Sequence, residues 1–379
     1  MTPWLLVAGD LTPLGGMDAA NHALARHLAV RGDELHVVAH RVWPDLQTLP
    51  SLTVHSVWRP FGRHLLGSPL LARAGFRVWQ TLRSRGARAV ANGGNCALAD
   101  ANWVHYLHAA FAPRVAGSSA RRARHAFAHR RDVIAERRAL RGARVVICNS
   151  ERTRREVVER HDVADSRTSV VYYGSDPGRL LPASPAARLA VRKAEGWTAD
   201  RPLVGFVGAL GDRRKGFDSL FEAWVSLCRG GGWDADLVVI GSGAELTAWR
   251  SRAAASGLGD RFHFLGFRPD VPNVLAALDG FVHPARYEAY GLSVHEAICC
   301  GVPAIVSATA GVAERYPASL EDLLLVDPDD SGELANRLRF WRANVDRFRD
   351  QILSVSATLR AWTWDAMAAK IVGLVERAV

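Results

Sequence analysis

Short apolar runs alternate with longer amphipathic stretches along the whole chain. "PWLLVAG" reads as a buried strand, "MDAANHALARHLAVRG" as an amphipathic helix and "ELHVVAH" as the next strand. "RAVANGG", "ANWVHYL" and "ARVVICNS" continue the strands, the last leading into a helix capped at Ser150, and "SVVYYGSD" closes the set. Residues 177–201 carry three prolines and few apolar anchors of strand type, which marks a candidate linker. A second set follows: "PLVGFVGAL", "ADLVVIGSG", "RFHFLGF", "GFVHPA", "VPAIVSA" and "DLLLVDP". Strands alternating with helices predict an α/β chain with two doubly wound parallel sheets. In such sheets ligands sit beyond the carboxyl ends of the strands, so the loops there are where chemistry is sought.

At 379 residues the chain is long enough for two domains, and 23% charged with 49% hydrophobic residues is a globular composition. No run approaches the length of a membrane-spanning helix. The start, "MTPWLLVAGDLTP", reads as a first buried strand rather than a signal peptide. The five cysteines, at 96, 148, 228, 299 and 300, have neither zinc-site spacing nor the pattern of a disulfide framework, so reduced thiols in a cytoplasmic protein are expected. The net charge is +10, and residues 114–160 hold fourteen arginines against five acids. That surplus fits a face for an anionic membrane surface or acceptor, and equally a solvated helical surface. Only three lysines occur in the chain, so arginine is its usual base. Nucleic acid is not expected, because no recognition motif or aromatic platform accompanies the charge.

Four stretches at strand ends could carry chemistry. In "GDLTPLGGMDAANHALARHL", Gly15 and Gly16 lie between a strand and a helix, where bare backbone approaches a ligand or simply makes a tight turn. In "FVGALGDRRKGFDSL", Arg213, Arg214 and Lys215 precede a helix. Cations there oppose the helix dipole, so an anionic partner such as a diphosphate explains them better than local structure does. "VIGSGAEL" offers Gly241 and Gly243 but lacks the third glycine of a dinucleotide fingerprint. In "RYEAYGLSVHEAICCGVPAI", Gly291 and Leu292 would present backbone N–H groups at a helix start. Glu288 lies before that start and Glu296 inside the helix, a carboxylate pair suited to the hydroxyls of a sugar and a ribose. Asp327 and Asp329 in "VDPDDSG" have D-x-D spacing. They precede a helix, so capping is the stronger reading, and no required metal is expected.

The stretch "HPARYEAYGLSVHEAICCGVPAIVSATAGVAE" resembles the E-x7-E region of the retaining nucleotide-sugar glycosyltransferases of family 4. The Gly-Gly loop, "YYGSD", "RKGFD", "VIGSGAEL" and "SGELANRLRFW" follow in that family's order. The resemblance implies a GT-B fold, α/β, with two Rossmann-like doubly wound parallel-sheet domains facing across a cleft. Residues 1–176 would form the acceptor-binding domain and 177–359 the nucleotide-sugar-binding domain, with a last helix at about 360–379 as a candidate to pack back on the first. It further implies that Glu288 contacts the donor sugar, that Gly291 and Leu292 bind the diphosphate through backbone N–H groups, and that Glu296 holds the ribose. Lys215 with an arginine would neutralise the leaving diphosphate, and Gly16 would approach the phosphates from the N-terminal domain. Gly241 is carried over as a donor-site glycine. The family's N-domain histidine has two candidates here, His105 and His108, of which His108 is preferred because it ends the strand. Where the family has an arginine six residues before the lysine, this chain has Ala209, and Arg214 is expected to compensate, with Arg213 as the substitute.

The implied activity is transfer of a hexose from a nucleoside diphosphate sugar to an acceptor hydroxyl with retention, on a cell-surface glycan, glycolipid or natural product, without a cofactor. The acceptor is open, an anionic or lipid-linked molecule being among the candidates, with peripheral membrane contact through 114–160 at the inner face. The alternatives are an NAD-dependent oxidoreductase and a non-catalytic nucleotide-sugar-binding protein.

Overall fold

Most strands of this chain are buried on both faces, as a parallel sheet covered by helices requires. The computed structural model describes residues 2–112, 118–211 and 213–378. The chain divides into two units, Met1–Gly174 with Thr363–Val379, and Ser175–Trp362. The strands of the first unit are β1 (Trp4–Val7), β2 (Asp10–Leu11), β3 (Leu35–Ala39), β4 (Arg41–Val42), β5 (Leu52–Ser56), β6 (Arg88–Asn92), β7 (Ala101–Val104), β8 (Val145–Cys148) and β9 (Thr168–Val170). Seven of these form one parallel sheet in the order β5-β3-β1-β6-β7-β8-β9, while β2 pairs with β4. In register, Trp4 stands opposite Leu35 on one side and Arg88 on the other. Every residue of β1, β7 and β8 is buried.

Helix Trp364–Ala378 belongs to this first unit. It lies on helix Gly16–Val30, with a hydrogen bond between His27 Nδ1 and Asp365 (2.5 Å) and ion pairs from Glu376 to Arg31 (3.2 Å) and Arg88 (3.6 Å). Gly174 explains itself by the same return of the chain. A Cβ there would lie 2.5 Å from the backbone of Thr363, so only glycine fits.

The second unit repeats the architecture with β10 (Leu203–Val207), β11 (Asp236–Ile240), β12 (Phe262–Gly266), β13 (Gly280–His283), β14 (Ala304–Ser307) and β15 (Leu324–Leu325). They form a parallel sheet in the order β12-β11-β10-β13-β14-β15. The stretch 177–201, expected as a linker, is instead part of this unit and carries helix Pro185–Ala194, capped by Ser184. Its anchor is polar. Arg192, 2% exposed, donates to Asp279 (2.5 Å) and to the carbonyls of Ala277 (3.0 Å) and Ala199 (2.6 Å). Such an anchor leaves no trace in the hydrophobic pattern.

The basic run is mostly helix Ser119–Gly142, capped by Ser118. Arg114, its first arginine, lies outside the described residues. The five cysteines are free thiols, four of them buried. No helix among the described residues is long and apolar enough to cross a membrane.

Candidate functional site

The residues named from the sequence fall into two sets, one in each unit. In the second unit, β10 runs into a loop that enters helix Phe217–Arg229 through Gly216. Gly216 has φ +71°, and a Cβ on it would lie 1.8 Å from the carbonyl oxygen of Pro284, so the loop bearing the cations can lie against the segment after β13 only with glycine there. Arg286 then ties the two together. Its backbone N–H donates to the carbonyl of Arg214 (2.9 Å) and its guanidinium donates to the carbonyl of Arg213 (2.5 Å), to Asp218 (2.7 and 3.0 Å) and to Asp329 (2.6 Å). Burial works against its charge, but the two carboxylates more than offset this and raise its pKa.

This clamp brings Lys215 onto Glu288. The ammonium pairs with the Glu288 carboxylate, which also accepts from Nε2 of His283 at 2.9 Å. Both members of the ion pair are largely buried, with side chains 16% and 12% exposed, and His283 is fully buried at the end of β13. Burial alone would raise the pKa of Glu288, but the Lys215 charge and the His283 hydrogen bond outweigh it and hold the carboxyl well below its usual range. Burial likewise holds His283 below its usual value. A neutral imidazole beside a carboxylate must carry its proton on Nε2, so Glu288 is left as an oriented anion between two donors. Arg214 lies close enough to add to that field, and its guanidinium reaches the carbonyl of Tyr287 at 3.4 Å.

Gly291 caps helix Leu292–Cys299 with φ +110°, and a Cβ there would meet Val312 at 3.0 Å and the Glu288 side chain at 3.3 Å. The helix N-terminus and the Glu288 carboxylate are thus adjacent, the first favouring an anion by its exposed N–H groups and dipole. Glu296 is half-buried in this helix, and its carboxylate has no hydrogen-bond partner among the described residues. Burial pushes its carboxyl up to about 7.

Ala209, Arg213 and Lys215 line one recess together with Glu245, so the cation sharing that recess with Ala209 and Lys215 is Arg213. Arg213 itself holds φ +55°, uncommon for a residue with a side chain. Gly241 and Gly243 serve packing: Cβ atoms there would lie 1.9 Å from the Gly208 carbonyl oxygen and 2.1 Å from that of Leu210. The D-x-D reading gives way to local structure. Asp330 is the cap of helix Ser331–Ala343, Asp327 accepts the N–H of Asp329 (2.8 Å), and Asp329 holds Arg286.

In the first unit, Gly15 (φ +86°) caps the helix that Gly16 begins. His105 is a core residue, 7% exposed, with Nδ1 on the Tyr173 hydroxyl (2.6 Å) and burial holding its pKa to about 3. His108 starts a short turn whose N–H groups, its own and that of Ala109, donate to Glu136 at 2.7 and 3.2 Å. Glu136 is fully buried and also meets His161 Nε2 at 2.7 Å. Sequence reasoning missed His283, Arg286 and Glu136. The signal for the first two was present in "HPAR", which begins at the last residue of a strand.

Residues 14–179 match the family described as Glycosyltransferase Family 4, and residues 188–352 match Glycosyl transferases group 1. The chain belongs to the family 4 glycosyltransferases of the GT-B fold. Among relatives of the family 4 chain, 2-deoxystreptamine N-acetyl-D-glucosaminyltransferase of Streptomyces fradiae is 35% identical over 229 residues, 59% of this chain and 53% of the relative. 2-Deoxystreptamine glucosyltransferase of Streptomyces kanamyceticus is 31% identical over 229 residues, 60% of this chain and 56% of the relative. The matched stretch thus spans about half the length of these relatives. Sucrose-phosphate synthase from Thermosynechococcus elongatus shares the fold with a TM-score of 0.78 at 21% identity, covering 100% of this chain and 99% of that one. An Anabaena protein solved in complex with UDP and glucose has a TM-score of 0.72 at 20% identity, with 99% of each chain covered.

Proposed function

We propose that this chain transfers a hexose from a nucleoside diphosphate sugar to an acceptor hydroxyl with retention of configuration. The observation that carries this reading is the Lys215–Glu288–His283 cluster beside the N-terminus of helix Leu292–Cys299. It combines an oriented carboxylate with cations and an anion-accepting helix end. In this reading the diphosphate lies against Lys215, an arginine of the same loop and the N–H groups of Gly291 and Leu292. Glu288 takes sugar hydroxyls and Glu296 the ribose. Charge that develops on the leaving diphosphate is stabilised by groups already in place, the largest usual source of rate enhancement. The leaving phosphate then assists removal of the acceptor proton on the same face, and His108 of the first unit acts near the reacting sugar. Gly16 approaches the phosphates. No cofactor or metal is part of this scheme.

The printed names of the relatives support a transferase acting on small cyclitols, and the UDP complex of the Anabaena protein supports a nucleotide-sugar donor. An oxidoreductase reading loses its motif, since close backbone approach accounts for Gly241 and Gly243. The proposed place of action is the cytoplasm, with contact at an anionic membrane surface. Supporting this contact, residues 118–127 are exposed, Phe127 to 69%, and Arg121, Arg124 and Arg130 have no acidic partner among the described residues. Calorimetric titration with UDP-, GDP- and ADP-sugars tests the reading: one should bind, and none binding would refute it.

A further inference from the structure

Arg286 is engaged by the protein with every donor it has. Nε donates to Asp329 (2.6 Å), and Nη1 donates to the carbonyl of Arg213 (2.5 Å) and to Asp218 (2.7 Å). Nη2 donates to the second oxygen of Asp218 (3.0 Å) and to the Ser219 hydroxyl (3.1 Å). A guanidinium has five N–H groups, so none is left for a ligand. The side chain is 11% exposed.

Two consequences fall on Arg213. The first is conformational. Arg213 holds φ +55°, the left-handed region that a residue with a side chain seldom enters. Its carbonyl is caught by Arg286 and by the Gly216 N–H (3.2 Å), and such a conformation persists where its surroundings over-determine it. The second is electrostatic. Arg286 occupies both oxygens of Asp218, and the Arg213 guanidinium is left 3.9 Å from that carboxylate, beyond hydrogen-bond distance. Among the described residues the Arg213 side chain has no hydrogen bond and no second ion pair, although Glu245 lines the same recess. It is 54% exposed.

The neighbouring cations are placed differently. Lys215 pairs with Glu288, and Arg214 reaches the Tyr287 carbonyl and adds its charge to the field at Glu288. Arg213 therefore carries a charge that the fold leaves largely unbalanced. It stands with Lys215 in a recess to which Ala209 contributes only a methyl group. A phosphate is the complement of such a group, since a guanidinium takes two of its oxygens at once. We propose that Arg213 is the second cation on the donor's diphosphate, and that Arg286 is its positioning residue. Arg286 fixes the loop and withholds Asp218, so that Arg213 stays available. Without Arg286, Asp218 would close on Arg213 as an ordinary ion pair. The inference rests on reading this loop as the diphosphate site, and it adds which arginine takes the phosphate and what keeps it there.

The test is calorimetric titration of the full chain with UDP, GDP and ADP and with UMP, GMP and AMP. The native chain should bind one diphosphate about tenfold or more tightly than the matching monophosphate. Arg213→Gln, at an exposed side chain, should lower diphosphate affinity about tenfold and change monophosphate affinity little. Arg286→Met should do the same, although Arg286 touches no ligand. Arg286→Met/Asp218→Asn should recover about threefold or more of that loss, because the carboxylate that captures Arg213 is gone. If Arg286→Met does not fold, Arg286→Lys replaces it with the same expectation, since one ammonium cannot hold both Asp218 oxygens and the Arg213 carbonyl in the geometry of the fork. An Arg213→Gln chain that keeps the native preference for diphosphate would overturn the proposal. So would an Arg286 variant that loses diphosphate and monophosphate affinity in equal proportion and recovers nothing with Asp218→Asn, which is the mark of a purely structural role. Failure of the underlying reading shows separately, as a native chain that binds none of the three diphosphates.

Discussion

Replacing Lys215 by methionine removes the paired cation from Glu288 and leaves the carboxylate with the His283 hydrogen bond and the charge of Arg214. The cost follows from how deeply the pair lies. Exposed ion pairs are worth about 0–1 kcal/mol, whereas removing one partner of a buried pair costs about 3–5 kcal/mol. With side chains 16% and 12% exposed and one hydrogen bond retained, Lys215→Met should cost about 2–4 kcal/mol. In a unit of this size that lowers the melting transition by roughly 5–12 °C. Adding Glu288→Gln removes the stranded charge, so the double variant should regain at least half of the loss, an interaction energy well above the scatter of independent sites. The pH dependence has a definite sign. The pKa of Glu288 is depressed in the folded chain, so its stabilisation is present above its ordinary value near 4.5 and lost as pH falls toward its folded value. The gap between the native chain and Lys215→Met should therefore narrow on acidification below about pH 4.5. The assay is differential scanning calorimetry of the four proteins of the cycle at several pH values. Additive losses, or a gap that does not change with pH, would refute the reasoning.

Three further outcomes are expected. Arg213→Ala and Arg214→Ala should not be equivalent: whichever supplies the second phosphate contact should cut kcat/KM about tenfold or more, and normal kinetics in both would mean that the grip on phosphate is built elsewhere. Burial raises the Glu296 carboxyl to about 7, and a ribose held by its ionised form would lower it; nucleotide-sugar affinity should therefore rise with pH from about 6 to 8 in the native chain and lose that slope in Glu296→Gln, and an identical slope in both would remove Glu296 from the ribose. Cosedimentation with anionic but not neutral vesicles at low salt, abolished at high salt and weakened by Arg121→Ala/Arg124→Ala/Arg130→Ala, is expected from a contribution of about 1 kcal/mol per charge; no sedimentation with either vesicle type would end the membrane reading.

What the sequence made legible follows from how each feature is encoded. Most strands of both sheets are apolar runs buried on two faces, which the hydrophobic pattern records directly, whereas the edge strands β5 and β9 have no buried residue. Ser150 caps its helix by accepting the Thr153 N–H at 3.0 Å. Helix Pro185–Ala194 was hidden because its anchor is the buried Arg192–Asp279 pair, which hydrophobic periodicity cannot register. The glycines at 216, 241 and 243 were visible as residues, but the close backbone approaches that require them join segments distant in sequence. The same holds at the site. Glu288 and Lys215 were named separately, and their pairing, the buried His283 behind it and the Arg286 clamp exist only once β10 and β13 lie side by side. Glu136 was one acid within a basic run, and only the fold turns it into the support of the His108 turn.

The central claim, that the loop and helix of the second unit hold a nucleotide sugar, is tested most directly by titrating the native chain, Glu296→Ala and Glu288→Ala with UDP-, GDP- and ADP-sugars in a calorimeter and following turnover of the one that binds. The account predicts that one donor binds the native chain, that Glu296→Ala weakens it about tenfold or more, and that Glu288→Ala binds nearly as well but turns over far more slowly. Binding and turnover that fall equally and slightly in both variants, or a native chain that binds no nucleotide sugar, would contradict it.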